Sequence, residues 1–456
     1  MDIKGKHVLV FGSGISGIAA ARLLLQEGAR VILYDGNTKL DKEQLLQDIT
    51  GGRHAENVQV LLGELPDEVL DTLTLVVISP GVPTDLPIVE AMRAKHLPIW
   101  GEIELAYTYG KGEVLAITGT NGKTTTTALL GEIMKTTYPQ VHVVGNIGIP
   151  YTGLVAEDTD DTVTVAEISS FQLETIDTFC PEVSAILNIT PDHLNRHHTM
   201  DNYIAAKMSI AKNQGPEQTC VLNYEDEVLK EQAKHLSAKV VFFSSLSKLE
   251  EGFYLEGDKI VYAHDGQIEE VISTDELNIL GRHNHENAMA ATAMAMSYGV
   301  PVENIRKALR TFQAVEHRIE YVTEKRGVRF YNDSKGTNPD AAIKGIQAMD
   351  RPTCLIGGGY DKQSEYTEWI NSFAGKVKKL VLIGQTREKI AEEAEKCGFH
   401  DYVFADSLQE AVDICYENAE NGDAVLLSPA CASWGMFPNY EVRGKMFKEM
   451  VHALKE

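Results

Sequence analysis

The chain has 456 residues, a formal net charge of −24 at pH 7 and 43% hydrophobic residues. At about 150 residues per domain, this length predicts about three domains of ordinary globular composition. The acidic balance argues against broad affinity for nucleic acids, which requires clustered cations, and no apolar run approaches the roughly 20 residues of a membrane span. Six cysteines without C-x-x-C spacing and no secretory signal pattern lead us to expect a cytoplasmic protein with reduced thiols.

The first hundred residues carry the pattern of a dinucleotide-binding unit. A strand pattern at residues 6–11 runs into Gly12-Ser13-Gly14-Ile15-Ser16-Gly17, a helix pattern follows, and a second strand pattern ends in Asp35. This is the G-x-G-x-x-G fingerprint in a β–α–β context, with an acid about 20 residues after the first glycine. Taken alone it predicts an NAD-dependent oxidoreductase, although any nucleoside diphosphate could place its phosphates at such a helix N-terminus. A glycine-rich turn with a purely structural role is the remaining alternative.

A third strand pattern in this segment, residues 75–78, ends at the loop Ser79-Pro80-Gly81-Val82-Pro83. In open parallel sheets, ligands bind at the loops that follow the carboxyl ends of the strands. This loop is therefore a second candidate for ligand contact. A boundary near Pro98 gives an expected first domain of residues 1–100.

Residues 114–135 have the pattern of a strand, a glycine turn and a helix, which is the layout of a phosphate-binding loop. The turn and the start of the helix consist, in order, of Gly119, Thr120, Asn121, Gly122, Lys123, Thr124 and Thr125. In such a loop, backbone N–H groups surround phosphate oxygens, the lysine supplies a mobile positive charge and a hydroxyl reaches Mg²⁺. The general pattern has a glycine where Ile117 stands, so this is a shorter variant, and a chance Gly-Lys-Thr at a strand–turn–helix junction is the alternative. A site for ATP or GTP is the leading hypothesis.

Two further strand patterns of the middle segment deliver polar residues to the same sheet edge. Glu167 ends one of them, where it can hold Mg²⁺ directly or through water, or can be a solvated strand-end acid. The pattern at 183–190 leads to His193, His197 and His198, but no second ligand pair at metal-site spacing appears, so a structural zinc site is not favoured. We expect one histidine in a magnesium or phosphate site, with His197 and His198 at the surface.

Two helix patterns complete the middle segment, which we expect to span residues 101–314. Asp201 can cap the first helix, and Lys207 on it would by composition alone be a surface lysine that extends along apolar neighbours. In the second helix, the spacing of Asn284 and Asn287 puts both amides on one face, where they could bind a nucleobase. Capping and packing are the alternative roles for these two amides.

The last segment alternates strand and helix patterns and is expected to span residues 315–456. It opens with a hairpin-like pair at 319–323 and 328–332, and later apolar strand patterns begin at Thr353, Lys379 and Ala424. Repeated β–α alternation predicts a second open, mostly parallel sheet. The whole chain is therefore predicted to consist of three α/β units with the phosphate-binding loop in the central one.

Taken together, these stretches resemble the Mur ligase family over essentially the whole chain. The motifs shared with the family in general are TGTNGKTT at 118–125, GNIG at 145–148, EISSFQ at 167–172, NITPDH at 188–193 and HNHEN at 283–287. Those typical of its D-glutamate-adding branch are FGSGISG at 11–17, NDSKGTN at 332–338 and LSPACAS at 427–433. Another Mur-type amino-acid ligase and a folylpolyglutamate synthase-like ligase stay as alternatives. An NAD-dependent oxidoreductase leaves the phosphate-binding loop without a role, and the substrate-type loops argue against a nucleotide switch or binding module.

The resemblance implies three α/β domains. These are a Rossmann-like N-terminal domain for the UDP-substrate, a central P-loop ATPase-like domain with a mostly parallel sheet, and a Rossmann-like C-terminal domain contributing to ATP and D-glutamate binding. It also implies formation of an amide between UDP-N-acetylmuramoyl-L-alanine and D-glutamate, through an acyl phosphate, with ATP and Mg²⁺ in peptidoglycan precursor synthesis. We expect a monomer without nucleic-acid partners.

The resemblance also implies roles for individual residues of this sequence. Residues implied in catalysis are Lys123, His193 and Lys207. Those implied in ATP binding are the loop residues 119–125 with Asn284, Asn287, Arg318 and Asp333. Those implied as metal ligands are Thr124, Glu167, His193 and Lys207, the last as a carbamylated lysine. Those implied in binding the UDP-substrate are Ser13, Ile15, Ser16, Asp35, Asn146 and Gln172. Those implied in binding D-glutamate are Thr337, Lys362, Ser433 and Tyr440.

Overall fold

The computed structural model describes residues 2–52 and 56–455. Residues 1 and 456, the outer limits of the expected domain ranges, lie outside the described residues. The chain forms two compact units, Met1–Thr274 with Glu286–Leu309 and Asp275–His285 with Arg310–Glu456. Among the described residues, no helix combines the length and the apolar character that crossing a membrane requires.

The first unit begins with a parallel five-stranded sheet. Its elements are β1 (His7–Phe11), α1 (Ile15–Gln26), β2 (Arg30–Asp35), α2 (Lys42–Thr50), β3 (Val58–Leu62), α3 (Asp67–Leu70), β4 (Leu73–Ile78), α4 (Pro87–Ala94), β5 (Ile99–Gly101) and α5 (Glu102–Tyr109). The strand order is β3-β2-β1-β4-β5, and every neighbouring pair is parallel. The middle strands β1, β2 and β4 are mostly apolar and buried, as is typical of a parallel sheet with helices on both faces. The predicted β–α–β unit is confirmed.

The first unit continues with a nine-stranded sheet. Its strands are β6 (Glu113–Thr118), β7 (Val141–Gly145), β8 (Val163–Glu167), β9 (Val183–Ile186), β10 (Thr219–Asn223), β11 (Lys239–Ser244), β12 (Gly252–Glu256), β13 (Lys259–His264) and β14 (Gln267–Ser273). Its helices are α6 (Lys123–Lys135), α7 (Ser170–Leu173), α8 (Leu194–His197), α9 (Met200–Met208) and α10 (Glu227–Ala233), with 3₁₀ turns at Tyr151–Gly153, Val155–Glu157, Ser209–Ala211 and Thr274–Glu276. The order is β14-β13-β12-β11-β10-β9-β6-β8-β7, parallel except for the antiparallel pairs that β13 makes with its two neighbours.

Two local expectations in this sheet are wrong. The strand predicted at 183–190 ends at Ile186, and two residues further on the chain binds the turn that follows β6, with the N–H of Thr120 donating to the carbonyl of Asn188 at 2.9 Å. The cap of α9 is Thr199, whose hydroxyl accepts from the N–H of Asn202 at 3.2 Å, and Asp201 lies in the first turn instead. An acid in that position still interacts favourably with the helix dipole.

The two units share the helix α11 (Arg282–Ser297), which crosses from one range to the other, and α12 (Val302–Thr311) follows it. The second unit has the strands β15 (Glu320–Lys325), β16 (Val328–Asn332), β17 (Thr353–Gly358), β18 (Val377–Ile383), β19 (Tyr402–Phe404) and β20 (Ala424–Leu427). Its helices are α13 (Pro339–Gln347), α14 (Thr367–Asn371), α15 (Arg387–Lys396), α16 (Leu408–Asn418) and α17 (Tyr440–Ala453). The order is β15-β16-β20-β17-β18-β19, with an antiparallel first hairpin and parallel pairs thereafter. In the described part of the chain, the first unit therefore contains two of the three sheets and the second unit contains one. The predicted class, three α/β domains with mostly parallel sheets, is confirmed.

Candidate active site

The loop Gly119–Thr125, here called the phosphate loop, connects β6 to α6. The cap residue of α6, Gly122, makes no side-chain hydrogen bond to the helix, and a helix N-terminus attracts anions. Gly122 has φ of +86°, and a Cβ there would lie 2.3 Å from Oδ1 of Asn287. Only glycine combines this left-handed conformation with so close an approach. The local geometry is that of a phosphate cradle.

The side chain of Asn188 holds the phosphate loop in shape, a role the sequence analysis did not assign. Its Oδ1 accepts from the N–H of Asn121 at 2.8 Å, and its Nδ2 donates to the carbonyl of Asn121 at 3.1 Å. The N–H of Thr120 donates to the carbonyl of Asn188 at 2.9 Å. The loop conformation is therefore fixed by the segment that follows β9, the strand next to β6. The only sign of this role in the sequence was that Asn188 begins the motif NITPDH at 188–193.

Two lysines converge on the phosphate loop. Nζ of Lys123 donates to the carbonyls of Gly119 and Thr120, both at 2.9 Å, and Nζ of Lys207 donates to the same Gly119 carbonyl at 2.8 Å. Lys207 is only 2% exposed, so the surface position expected from composition is wrong. Burial, followed by repulsion from Lys123, lowers the pKa of Lys207 to about 6. At neutral pH the amine of Lys207 is therefore mostly uncharged and nucleophilic.

Glu167 ends β8, beside the strand that leads into the phosphate loop, and pairs in register with Ile117. Its Oε1 accepts from Nδ2 of Asn146 at 2.8 Å, whereas its buried Oε2 accepts no hydrogen bond from the residues that the structure describes. A buried carboxylate oxygen without a donor is costly unless a cation binds it. Thr124, in the first turn of α6, is buried as well. Oxygen donors of this kind fit Mg²⁺.

His193 immediately precedes α8 and is exposed, with φ of +53°. Its ring lies edge-on to Phe171, with centroids 4.9 Å apart. His197 is buried, with its Nε2 2.9 Å from Oγ of Ser170. The prediction that His197 lies at the surface is therefore wrong. Burial lowers the pKa of His197. His198 is exposed, as predicted.

The G-x-G-x-x-G loop lies between β1 and α1, as predicted. The N–H and hydroxyl of Ser13 both donate to Oδ2 of Asp35, at 3.0 and 2.6 Å. Burial acts to raise the pKa of Asp35, but the hydrogen bonds from Ser13 and Asn37 outweigh it and lower that pKa. Ile15 is 75% exposed at the first position of α1, and Ser16 beside it is half-buried. An exposed apolar side chain beside free helix N–H groups suits a base next to phosphates.

Asn146 and Gln172 occupy different surroundings. Asn146 is exposed and bound to Glu167, as described above. Gln172 is buried, and its Oε1 accepts from both the N–H and the hydroxyl of Ser169, completing the capping box of α7. The amide of Gln172 thus has a structural partner already.

In the second unit, Asp333 follows β16 and is 6% exposed. Oγ of Ser428 donates to its Oδ2 at 2.7 Å. Burial raises the pKa of Asp333 to about 7, and the Ser428 hydrogen bond and the charge of Arg318 limit the rise. Asn284 is also buried, and its Nδ2 donates to the carbonyl of Leu280 at 2.7 Å.

Asn287 belongs to the first unit and is buried. Its Oδ1 accepts from Oγ1 of Thr126 in α6 at 3.3 Å. This is a packing contact of the kind the sequence analysis left open. It fixes α11 against the helix that begins at the phosphate loop.

The four residues implied in D-glutamate binding lie on loops of the second unit that follow neighbouring parallel strands or, for Tyr440, at the start of α17. Thr337 is half-buried after β16, and Ser433 is 4% exposed after β20. Lys362 is exposed after β17, with Nζ 5.2 Å from the ring centroid of Trp434. The N–H of Tyr360 donates to the carbonyl of Ala432 at 2.9 Å, which joins the loop after β17 to the loop after β20.

Sequence reasoning also missed Arg443, a fully buried guanidinium on α17. It donates to the carbonyl of Ser334 at 2.7 Å, to the hydroxyl of Ser334 at 2.9 Å and to the carbonyl of Cys431 at 3.3 Å. Burial lowers its pKa to about 10. Arg443 thereby ties together the loops that carry Thr337 and Ser433.

Comparisons with known proteins extend over the whole chain. Three family models match: Mur ligase MurD-like, N-terminal domain, at residues 6–101; Mur ligase middle domain at 117–295; and Mur ligase, glutamate ligase domain, at 317–431. A UDP-N-acetylmuramoylalanine--D-glutamate ligase of Lachnoclostridium phytofermentans is 56% identical over 456 residues, and one of Lachnospira eligens is 54% identical over 454, each covering 100% of both chains.

Solved structures share the fold at low sequence identity. UDP-N-acetylmuramate-alanine ligase MurC from Thermotoga maritima has a TM-score of 0.59 at 19% identity and covers 99% of this chain and 100% of its own. MurF ligase from Thermotoga maritima, solved in complex with ADP, has a TM-score of 0.58 at 16% identity and covers 99% and 96%.

Proposed function

The chain belongs to the Mur ligase family, and we propose that it joins D-glutamate to UDP-N-acetylmuramoyl-L-alanine with cleavage of ATP to ADP and phosphate. The observation that carries this conclusion is the full-length similarity, above 50% identity, to ligases of that name. The enzyme is an ATP-dependent ligase of peptidoglycan precursor synthesis. The G-x-G-x-x-G loop accordingly serves a UDP-linked substrate, and the oxidoreductase alternative is set aside.

The chemistry explains why ATP is required. A carboxylate is a poor electrophile at neutral pH, so an oxygen of the alanine carboxylate first attacks the γ-phosphorus of ATP, and ADP leaves. The acyl phosphate that results has a good leaving group. The uncharged amine of D-glutamate then attacks the carbonyl carbon, the C–O bond to phosphate breaks, and the amine loses a proton. Three anionic reactants meet here, so cations must offset their repulsion.

We assign the cationic part of the site to the phosphate loop and its neighbours. Lys123 would contact the β- and γ-phosphates, and the N–H groups of the phosphate loop would bind phosphate oxygens. Thr124 and Glu167 would hold one Mg²⁺, consistent with the buried Oε2 of Glu167 that lacks a donor among the described residues. His193 and Lys207 would serve a second. Bound Mg²⁺ would supply positive charge that stabilises the transferred phosphoryl group.

We further propose that Lys207 acts as a carbamate. Its buried, mostly uncharged amine can attack CO₂, forming an N–C bond and releasing one proton to solvent, and the product is an anion suited to metal binding. Activity should fall when CO₂ and bicarbonate are removed and return when bicarbonate is added. A Lys207→Ala variant should be inactive and should not respond to bicarbonate. A wild-type enzyme that is fully active without CO₂ would contradict the carbamate.

The remaining assignments follow the three domains proposed at residues 1–100, 101–314 and 315–456. Ser13, Ile15, Ser16 and Asp35 would bind the UDP group, with Asn146 and Gln172 towards the muramoyl-alanine end. Asn284, Asn287, Arg318 and Asp333 would contact the nucleotide. Thr337, Lys362, Ser433 and Tyr440 would bind D-glutamate. We also propose a cytoplasmic monomer, for which light scattering should give a mass near 50.3 kDa.

The decisive test is phosphate release measured with single omissions. Release should require ATP, Mg²⁺, UDP-N-acetylmuramoyl-L-alanine and D-glutamate together. L-alanine, meso-diaminopimelate and L-glutamate in place of D-glutamate are the matched controls for other amino-acid ligases. Release that ignores D-glutamate and follows another amino acid would overturn the assignment of substrate.

A further inference from the structure

The segment that carries His193 is tied to the loop after β4 by a group of four residues, here called the Arg196 clasp: Arg196, Glu174, Thr84 and Val82. Nη2 of Arg196 donates to the carbonyl of Val82 at 2.9 Å and to Oε2 of Glu174 at 2.7 Å, and its Nε donates to Oε1 of Glu174 at 3.2 Å. Oγ1 of Thr84 donates to Oε2 of Glu174 at 3.1 Å. One guanidinium thus joins the five-stranded sheet's loop to two segments beside the nine-stranded sheet.

The pair at the centre of the Arg196 clasp is shielded from water. The side chains of Arg196 and Glu174 are 11% and 14% exposed. A two-bond contact between guanidinium and carboxylate fixes both position and orientation, unlike most exposed ion pairs, which contribute little. Lysine could not reproduce it, because an ammonium offers no planar fork.

The Arg196 clasp reaches His193 through one aromatic ring. Cζ of Arg196 lies 5.1 Å from the ring centroid of Phe171, and the His193 ring lies edge-on to the same ring with centroids 4.9 Å apart. The His193 imidazole is half exposed, and its Nε2 also lies 3.5 Å from Oδ2 of Asp192. A shift of the guanidinium would therefore act on His193 through the Phe171 contact, one of the contacts that orient the imidazole.

At its other end, the Arg196 clasp reaches the G-x-G-x-x-G loop. Oγ of Ser79, at the start of the loop after β4, donates to the carbonyl of Gly12 at 3.2 Å. The N–H of Val82 donates to the carbonyl of Ser79 at 3.0 Å. A continuous series of contacts therefore runs from Gly12 through Val82 and Arg196 to His193. Beside it lies a cleft of about 410 Å³, lined in part by Thr84, Glu174 and Arg196.

We propose that Arg196 is a positioning residue that couples binding of the UDP-substrate to the orientation of the His193 imidazole. The proposal rests on the proposed function, since it takes the glycine loop as the UDP site and His193 as part of the reacting centre. A UDP-substrate that fixes the conformation of the loop after β4 would then also fix the orientation of the His193 imidazole. This coupling would keep the phosphoryl-transfer site incomplete until the acceptor is bound.

The test uses full-length protein without ATP or metal and follows the His193 ring by NMR during titration with UDP-N-acetylmuramoyl-L-alanine. The His193 signal is identified by its loss in a His193→Gln variant. In the wild type it should shift as the substrate saturates. In Arg196→Met the substrate should still bind, but at least half of that shift should be lost. Arg196→Lys and Thr84→Val, which remove fewer contacts, should lose less.

Kinetics provide the second measurement. At saturating substrates, Arg196→Met should lower kcat about 10-fold, as loss of residues that orient a ligand side chain does, with the KM for ATP unchanged. Arg93→Met is the matched control, because Arg93 forms an exposed ion pair with Glu90 in the same compact unit; it should change neither quantity. An unaltered His193 shift and kcat in Arg196→Met would overturn the coupling. If Arg196→Met does not fold, Thr84→Val and Arg196→Lys replace it: a partial loss of the His193 shift and of kcat would support the coupling, and no loss of either would overturn it. An inactive wild type would instead contradict the ligase assignment.

Discussion

Replacing the buried Asp333 by asparagine should remove a pH-dependent loss of stability, so that the variant gains stability relative to the wild type as pH rises from 4 to 7. In the unfolded chain this carboxyl ionises at its ordinary pKa of 3.8, whereas in the fold its pKa is raised to about 7, chiefly by burial. Between these values the folded state holds a proton that the unfolded state has lost. The free energy of unfolding therefore falls as pH rises, by about 1.4 kcal/mol per pH unit and about 4 kcal/mol in all.

The Asp333→Asn variant lacks this pH-dependent loss. Its Oδ1 can still accept from Ser428, while a new amide donor left unpaired would cost about 1–3 kcal/mol at every pH. The difference in unfolding free energy between variant and wild type should thus rise by about 4 kcal/mol from pH 4 to 7.5, whatever its starting value. The value of this difference at pH 4 measures the cost of the new amide, and its change with pH measures the effect of the carboxyl.

Urea unfolding at several pH values measures this difference. A Trp100→Phe background leaves Trp369 and Trp434, both in the second unit, as fluorescent reporters. Asp350→Asn is the control, because the hydrogen bond from Arg351 lowers the pKa of Asp350 below its ordinary 3.8. The stabilisation from that carboxylate is lost only as pH falls below about 4, so the difference for Asp350→Asn should stay nearly constant from pH 4 to 7.5. A difference for Asp333→Asn that stays constant from pH 4 to 7.5 would refute the argument that burial keeps this acid protonated.

Three further variants test the first unit. Lys123→Ala should lower phosphate release at least about 100-fold with little change in the unfolding midpoint, because its ammonium acts on charge developing at phosphate; near-normal turnover would exclude the assigned role. Asn188→Ala should weaken ADP binding about 10-fold, measured by calorimetry, because the phosphate loop loses both side-chain contacts to Asn121; unchanged affinity would show that the loop keeps its shape unaided. Glu167→Gln should raise the Mg²⁺ concentration for half-maximal activity at least about 10-fold, whereas Glu132→Gln, at an exposed pair with Lys135, should not; equal responses would remove Glu167 from the metal site.

The parts of the fold that sequence predicted well are those governed by local pattern. The helix after the phosphate loop ends at Lys135, and the strand leading to Asp35 spans Arg30–Asp35, both as predicted. The strand is a short continuous apolar run between two charged residues, and the helix begins directly after the glycine turn. Tertiary contacts only reinforce what these segments favour by themselves.

The errors have a common physical origin in contacts between distant segments. Nothing near Lys207 shows that its amine will meet the carbonyl of Gly119, 88 residues earlier in the chain. His197 is buried by Ser170 and Glu174, also far along the chain. The strand pattern at 183–190 continues past Ile186, but Asn188 binds the phosphate loop and the ladder stops. Family resemblance implied a role for Lys207 at the reacting centre, which stays a prediction, whereas local composition indicated a surface lysine.

The two carbonyl oxygens that hold Lys123 have a consequence for turnover. In the proposed role, an ammonium that turns towards a phosphate would give up some of its hydrogen bonds of 2.9 Å to Gly119 and Thr120, so the net gain in binding free energy would be small. A lone phosphate ion, with few other contacts, should compete poorly with ADP in a displacement titration. The same exchange would run in reverse when product departs, because the two carbonyls would again accept from the ammonium. The backbone of the phosphate loop would thereby ease the release of ADP.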